Sequence, residues 1–203
     1  MLENIKSIFT ISLSLFILMN AFGNTSLFLN LLKRISRQRQ KQIVLRELLI
    51  ALGLIILFDF IGSALLNFLN ITQDIVGIAG GIVLFLLSLR MLFPPPEKEK
   101  TQTEAEFKKI TEPFIVPLAI PLVAGPAVLA AVMLYSQQVN TPIILTSIVI
   151  AWAATLGILL LSAHLSDWLG ERGLLAIERL MGFIMVMIAI QMFLTGIKNF
   201  MNI

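Results

Sequence analysis

The sequence predicts an all-α, polytopic membrane protein with six transmembrane helices. Of its 203 residues, 58% are hydrophobic and only 13% are charged, whereas a soluble domain carries about 45–50% apolar and about 25% charged residues. Too few polar side chains remain to cover a water-facing surface, so the surrounding solvent must be lipid. The number of long apolar stretches and the uneven distribution of Lys and Arg support the same fold class.

Six stretches are apolar and long enough to cross a bilayer, which takes about 20 residues of helix. They run over Ser7–Leu32, Leu45–Leu69, Ile75–Phe93, Pro113–Tyr135, Pro142–Leu165 and Ile177–Phe200. None alternates between apolar and polar residues as a lipid-facing barrel strand does, so each crossing is predicted to be a helix. The first stretch is too long for a signal peptide and no small-residue cleavage site follows it, so we expect it to be retained.

Lys and Arg are concentrated in or beside the first, third and fifth connections. Of the 15 basic residues, only Lys6 and Lys198 lie on the other side of the predicted membrane. Because Lys and Arg mark cytoplasmic connections, both termini are predicted to face outward.

A weak internal repeat divides the chain into two halves. The third stretch reads GIVLFLLSLRM from Gly81 and the sixth reads GFIMVMIAIQM from Gly182, and Gly23 in the first stretch matches Gly125 in the fourth. We therefore predict a first three-helix repeat over 1–93, a cytoplasmic linker over 94–112 and a second three-helix repeat over 113–203. Three is an odd number of crossings, so the second repeat must be inverted, which is an architecture typical of secondary transporters.

The fourth stretch contains a predicted helix break. It reads PFIVPLAIPLVAGPAVLA, in which Pro121 is followed by Gly125 and Pro126. Each interior proline removes a backbone donor and clashes with the carbonyl four residues earlier. A half-helix is predicted to begin after Gly125-Pro126.

The first stretch contains the matching break, within Asn20-Ala21-Phe22-Gly23-Asn24-Thr25-Ser26. We predict that Gly23 ends one half-helix and that Asn24 or Thr25 caps the next, because these residue types are typical of helix ends and N-caps. Two half-helix N-termini would offer free N–H groups and partial positive charge to a carboxylate or another anion. The alternative is that these residues only kink helices for close packing.

Several of these motifs also resemble those of one protein family. PFIVPLAIPLVAGP, ERLMGFIMVM and MNAFGN resemble the MarC family, which is similar in turn to the LysE group of amino-acid exporters. The resemblance covers nearly the whole chain and implies a bacterial inner-membrane protein, some of whose relatives look like transporters of small neutral amino acids. The family usually has proline where this chain has Ala21 and Ser26, which leaves open a less sharply broken first helix.

On this basis the predicted function is secondary transport of a small solute, with small neutral amino acids as the class that the resemblance implies. The predicted site lies near the bilayer midplane, where Asn20, Gly23, Asn24 and Thr25 face Pro121, Gly125 and Pro126. Asp59, in the second stretch, either carries a proton as the coupling ion or pairs with a polar neighbour. Arg46 and Glu47 are either membrane-boundary anchors or an ion pair.

Other functional classes have less support in the sequence. It contains no cysteine and no nucleotide-binding or metal-ligand motif, so no enzymatic activity, cofactor, metal or nucleic-acid partner is expected. The expected partners are the small-molecule substrate, the lipid bilayer and, in a homodimer, a second copy. The alternative function is a membrane scaffold or regulator that transports nothing and whose basic connections recruit partners or anionic lipid.

Overall fold

The computed structural model describes residues 2–32, 36–93 and 123–201, and the regular structure within these ranges is helical. The helices are α1 (Leu2–Leu18), α2 (Ala21–Leu32), α3 (Arg37–Phe68), α4 (Gln73–Leu92), α5 (Pro126–Ser136), α6 (Thr141–Leu160) and α7 (Ser162–Phe200). The predicted linker over 94–112 and the first part of the fourth stretch, including Pro121, lie outside these ranges. The all-α prediction is confirmed for the residues that the structure describes.

Five segments of the described chain are long and apolar enough to span a membrane. They are Glu3–Thr25, Gln38–Phe68, Gln73–Leu92, Thr141–Leu160 and Arg172–Phe200. They correspond to the first, second, third, fifth and sixth predicted stretches. The fourth stretch is described only from Val123 onward, where it forms the shorter apolar helix α5, so the count of six spans stays a prediction.

The last two helices begin and end differently from the prediction. The fifth stretch was predicted to extend to Leu165, whereas α6 ends at Leu160 and α7 begins at Ser162. Within α7, Gly170 has φ 64° and joins two helical segments across a kink. Glycine adopts this left-handed conformation without the steric penalty of a Cβ atom. The predicted sixth stretch is therefore only the later part of a longer, kinked helix.

The helices enclose an apolar core and present a second apolar surface on the outside. Leu15, Leu84 and Met185 are fully buried, while Phe9 and Phe60 are 69% and 59% exposed. A water-soluble protein rarely leaves so large an apolar area uncovered. A lipid environment accounts for it, because the outer side chains then contact acyl chains instead of water.

The closest helix pair is α4 and α7, whose backbones touch at glycines. A Cβ atom added to Gly81 would lie 2.9 Å from the carbonyl oxygen of Ala189, and one added to Gly196 would lie 2.8 Å from that of Asp74. Small residues allow this approach between helices in membranes. Around this pair, α1 and α2 pack against α6, α3 packs against α5 and α6, and α4 and α7 also contact α5 and α2 respectively.

Candidate functional site

The first apolar stretch is interrupted between α1 and α2. Helix α1 ends at Leu18, and α2 begins at Ala21. Between them, Asn20 has φ 50°, a left-handed conformation that asparagine adopts more readily than most residues. The Oδ1 atom of Asn20 accepts a hydrogen bond from the backbone N–H of Gly23 at 3.2 Å. Asn20 is therefore the N-cap of α2.

The predicted position of this break was wrong. Gly23 does not end a half-helix, and neither Asn24 nor Thr25 caps one, because all three lie inside α2. Asn20 both turns the chain and caps the next helix, so no glycine is needed at the break itself. Gly23 instead leaves room for the cap, since a Cβ atom there would lie 2.7 Å from Oδ1 of Asn20.

Asn24 and Thr25 bind backbone oxygens near the break. The side-chain amide of Asn24 donates to the carbonyl of Met19 at 3.0 Å, and the hydroxyl of Thr25 donates to the carbonyl of Ala21 at 2.9 Å. Both side chains are buried. A carbonyl without a partner in hydrocarbon costs several kcal/mol, so the Asn24 contact offsets part of the cost of interrupting the helix.

The second break is described on one side only. Gly125 is extended, with φ −70° and ψ 164°, and Pro126 is the first residue of α5. Proline suits this position because an N–H group at the first residue of a helix would have no acceptor within the helix, so its absence costs nothing. The first intrahelical bond runs from the N–H of Leu129 to the carbonyl of Gly125 at 3.1 Å, and no described side chain caps the helix.

Both helix starts line a single cavity of about 780 Å³. Asn20 and Asn24 line it from the first break, and Gly125 and Pro126 line it from the second. This volume lies within the range of small-molecule sites. The structure thus brings together four of the predicted site residues. Gly23 and Thr25 are not among the lining residues, and Pro121 lies outside the described ranges.

The electrostatics of this cavity favour an anionic group. The N-termini of α2 and α5 each carry partial positive charge, and Arg90 of α4 lines the same cavity. Apolar side chains of α4, including Leu86 and Leu87, and Phe93 just after the helix form much of the remaining wall. The cavity therefore fits a small molecule with an anionic end and a short apolar body.

Arg90 is the site residue that the sequence analysis missed. It was grouped with the basic residues beside the third connection, which only indicate membrane orientation. A signal was present, because Arg90 matches Gln191 in the internal repeat and both are long polar residues within apolar stretches. Charged residues within membrane spans are functional candidates by default.

Asp59 is separate from this cavity. Its side chain lies in α3 and is only 8% exposed, and its Oδ1 atom has no hydrogen-bond partner among the described residues. It does not belong to the described lining of the cavity between the breaks. The sequence analysis offered two roles for Asp59, carrying a proton or pairing with a polar neighbour. At this oxygen, no such neighbour is seen among the described residues.

A second buried carboxylate lies earlier in α3. Glu47 is fully buried, and its Oε1 atom accepts hydrogen bonds from Nε and Nη2 of Arg46 at 3.0 and 2.8 Å. Of the two readings of these residues, the ion pair is the one observed. Across the described ranges, no three acidic or histidine side chains are grouped closely enough to hold a metal ion.

Comparison with known proteins identifies the family. The family model described as MarC family integral membrane protein matches residues 5–201. This chain belongs to the MarC family. It is 44% identical over 200 residues to a UPF0056 membrane protein of Buchnera aphidicola subsp. Baizongia pistaciae, covering 98% of this chain and 100% of that protein.

Two further relatives show how widely this family is distributed. The UPF0056 inner membrane protein YhgN of Escherichia coli K12 is 42% identical over 199 residues, covering 97% of this chain and 99% of that protein. A UPF0056 membrane protein of Chlamydia pneumoniae is 39% identical over 196 residues, covering 95% of each chain. No solved structure matches the chain. The MarC family member described here is thus an integral membrane protein, and its relatives' names state no substrate.

We expect Asn20→Ala to destabilise the protein, because alanine can neither cap α2 nor adopt φ 50° without strain. The combined loss is about 2–3 kcal/mol, from about 1 kcal/mol for the cap and about 1–2 kcal/mol for the left-handed residue. Asn20→Gly is the matched variant, since glycine tolerates the conformation and replaces a cap at a cost of only about a few tenths of a kcal/mol. Thermal unfolding in detergent measures both, and equal midpoints for the two variants would contradict the assigned role of Asn20.

Proposed function

We propose that this MarC family protein is a secondary transporter of small solutes and that its substrate site is the cavity between the two helix breaks. The observation that carries the proposal is that the starts of α2 and α5 line the same cavity. In transporters built from inverted repeats, the substrate lies between the halves at interrupted helices, whose N-termini bind its anionic groups.

The packing of the helices supports the inverted repeat that this proposal includes. The first stretch, α1 and α2, packs against α6 in the fifth, while α5 in the fourth packs against α3 in the second. Likewise α2 contacts α7, while α5 contacts α4, and α4 and α7 contact each other. Each of these larger contacts has a counterpart with the halves exchanged, as a two-fold relation between the halves would produce.

The proposed substrates are small neutral amino acids such as glycine and alanine. The resemblance to amino-acid exporters suggests this class, and the cavity supports it with a place for the carboxylate. Arg90 and the residues at the starts of α2 and α5 line the cavity, and both a guanidinium group and a helix N-terminus favour a carboxylate. The apolar wall along α4 favours an uncharged side chain over a charged one. Asp59 is the proposed proton carrier, and the bacterial inner membrane with both termini outside is the proposed location.

The direct test is uptake and exchange of labelled glycine and alanine by protein reconstituted in liposomes. We expect saturable flux from the wild type and a loss of about tenfold or more in Gly125→Val. Gly125 is buried and lines the cavity, so the isopropyl group of valine would add bulk beside the start of α5, where the substrate is proposed to bind, and a tenfold loss corresponds to about 1.4 kcal/mol.

The matched control for this substitution is Gly157→Val in α6. A Cβ atom at Gly157 would have nothing within 4 Å, so flux should stay close to that of the wild type. If folded wild-type protein moves no member of a broad amino-acid panel, the transport proposal is wrong. The alternative of a membrane scaffold would then be favoured.

Replacing Arg90 tests how the carboxylate is bound. We expect Arg90→Gln to raise the KM for glycine by about tenfold to a hundredfold, because a hydrogen bond to a charged group contributes about 1.5–3 kcal/mol. Arg90→Lys keeps the charge and should recover part of the affinity. Arg172→Gln is the control, since Arg172 is exposed on α7 and lies outside the described cavity lining. An unchanged KM in Arg90→Gln would remove this residue from the site.

A further inference from the structure

A second, polar cavity lies at the turn between α3 and α4. Its volume is about 510 Å³. Most of its wall is polar, and the main contributors are Ser63, Asn67, Asn70, Thr72, Asp74 and Gln137. Lipid cannot satisfy so many hydrogen-bonding groups, so the cavity is expected to hold water.

The turn itself is held in a defined conformation. Asn70 has φ 54°, and the N–H of Ile71 donates to the carbonyl of Leu66 at 2.9 Å. This is the hydrogen bond of a Schellman motif, which ends a helix with one left-handed residue. Asn70 and Ile71 of this motif line the polar cavity, so the end of α3 fixes the shape of the cavity there.

The polar cavity and the cavity between the breaks lie toward opposite ends of α4. Asp74, in the first turn of α4, lines the polar cavity, and Arg90, in its last turn, lines the other. The helical rise separates these two positions by about 24 Å, which is most of the thickness of a bilayer core.

Asp59 is one helical turn from the polar cavity. Ser63 is the lining residue of α3 that lies farthest from the turn, and Asp59 precedes it by four positions. Residues at this spacing share a helix face and are about 6 Å apart along the axis. Asp59 is more than nine-tenths buried and its Oδ1 atom lacks a partner in the described structure.

The charged groups around Asp59 are few. Of the two helices that pack most extensively on α3, α6 contains no ionisable side chain and α5 contains only Tyr135. Asp74 faces the polar cavity from α4. Within α3 itself, the ion pair of Arg46 and Glu47 is about 18 Å away along the axis. No described cation therefore compensates the charge of Asp59.

We propose that the polar cavity is a water-filled vestibule through which protons reach Asp59 from the end of the bundle opposite the substrate cavity. The role of the proton in transport rests on the proposed function, but the vestibule does not. A proton suits Asp59 better than a metal ion does. A cation such as Ca²⁺ takes six to eight oxygen ligands, whereas the described residues offer no cluster of acidic side chains.

Cysteine accessibility tests the vestibule directly, because the sequence contains no cysteine. We expect Ser63→Cys to react with a membrane-impermeant, cationic methanethiosulfonate added on the side of the α3–α4 turn. The control is Ala64→Cys, the next residue, which is exposed on the outer surface of the bundle where lipid would cover it. Only a hydrated thiol forms the reactive thiolate, so Ser63→Cys should react at least about tenfold faster. Equal, slow reaction in both folded variants would overturn the vestibule.

Flux measurements then test whether the vestibule leads to Asp59. The attached cation at Ser63→Cys should abolish uptake driven by a pH gradient while leaving glycine exchange intact, and Asp59→Asn should do the same. Glu47→Gln is the matched control, because Glu47 is a second buried carboxylate on the same helix. This variant should retain gradient-driven uptake. If Asp59→Asn loses both glycine exchange and gradient-driven uptake, the proton pathway is overturned. If the wild type moves no amino acid at all, the proposed function fails, and the thiol reaction alone decides on the vestibule.

Discussion

Backbone hydrogen bonding at the interruption of the first membrane helix is the constraint on which the rest of the site depends. In hydrocarbon, a broken helix leaves donors and acceptors that water cannot reach. Here Asn20 caps α2 through the N–H of Gly23, and Asn24 binds the carbonyl of Met19. These two side chains stabilise the break, and both also line the cavity. The residues that make the interruption tolerable are thus the same ones that a substrate would meet.

The close packing of α4 on α7 determines where this break meets the second one. Because Gly81 and Gly196 allow the two backbones to touch, one face of α4 is buried against α7, and other residues of α4 form a wall of the cavity beside both helix starts. Asn20 is connected to this wall through its Nδ2 atom, which lies 3.2 Å from the Sδ atom of Met91. The neighbouring Arg90 consequently lines the cavity. Family membership establishes a membrane protein, and it is this arrangement that supports transport as its activity.

The sequence predicted the larger features better than the detailed ones, for physical reasons. Long apolar stretches reliably indicate helices because lipid permits few alternatives. Gly125-Pro126 marked the start of α5 because proline is tolerated in the first turn of a helix but not in its interior. The other break was misplaced to Gly23 because Asn20 performs two functions, turning the chain and capping α2, that are usually divided between two residues. Arg90 was overlooked because its role depends on which helix it faces. The polar cavity beside Ser63 depends on how the α3–α4 turn lies against Gln137 at the end of α5, which no local pattern encodes.

The central claim is that the two helix starts line one cavity, and cross-linking tests it most directly. Asn24→Cys and Ala127→Cys would be introduced into the cysteine-free chain, together with a protease site in the polar segment 94–112 that joins the halves. A bifunctional thiol reagent with a span of about 10 Å, a distance that fits within a small-molecule cavity, should then hold the halves together after cleavage. The pair Asn24→Cys and Lys198→Cys should fall apart, because Lys198 lies in the last turn of α7, at the end of that helix that packs against Asp74 and away from the cavity. Separation of both pairs on a denaturing gel would contradict the shared cavity and the transport site built on it.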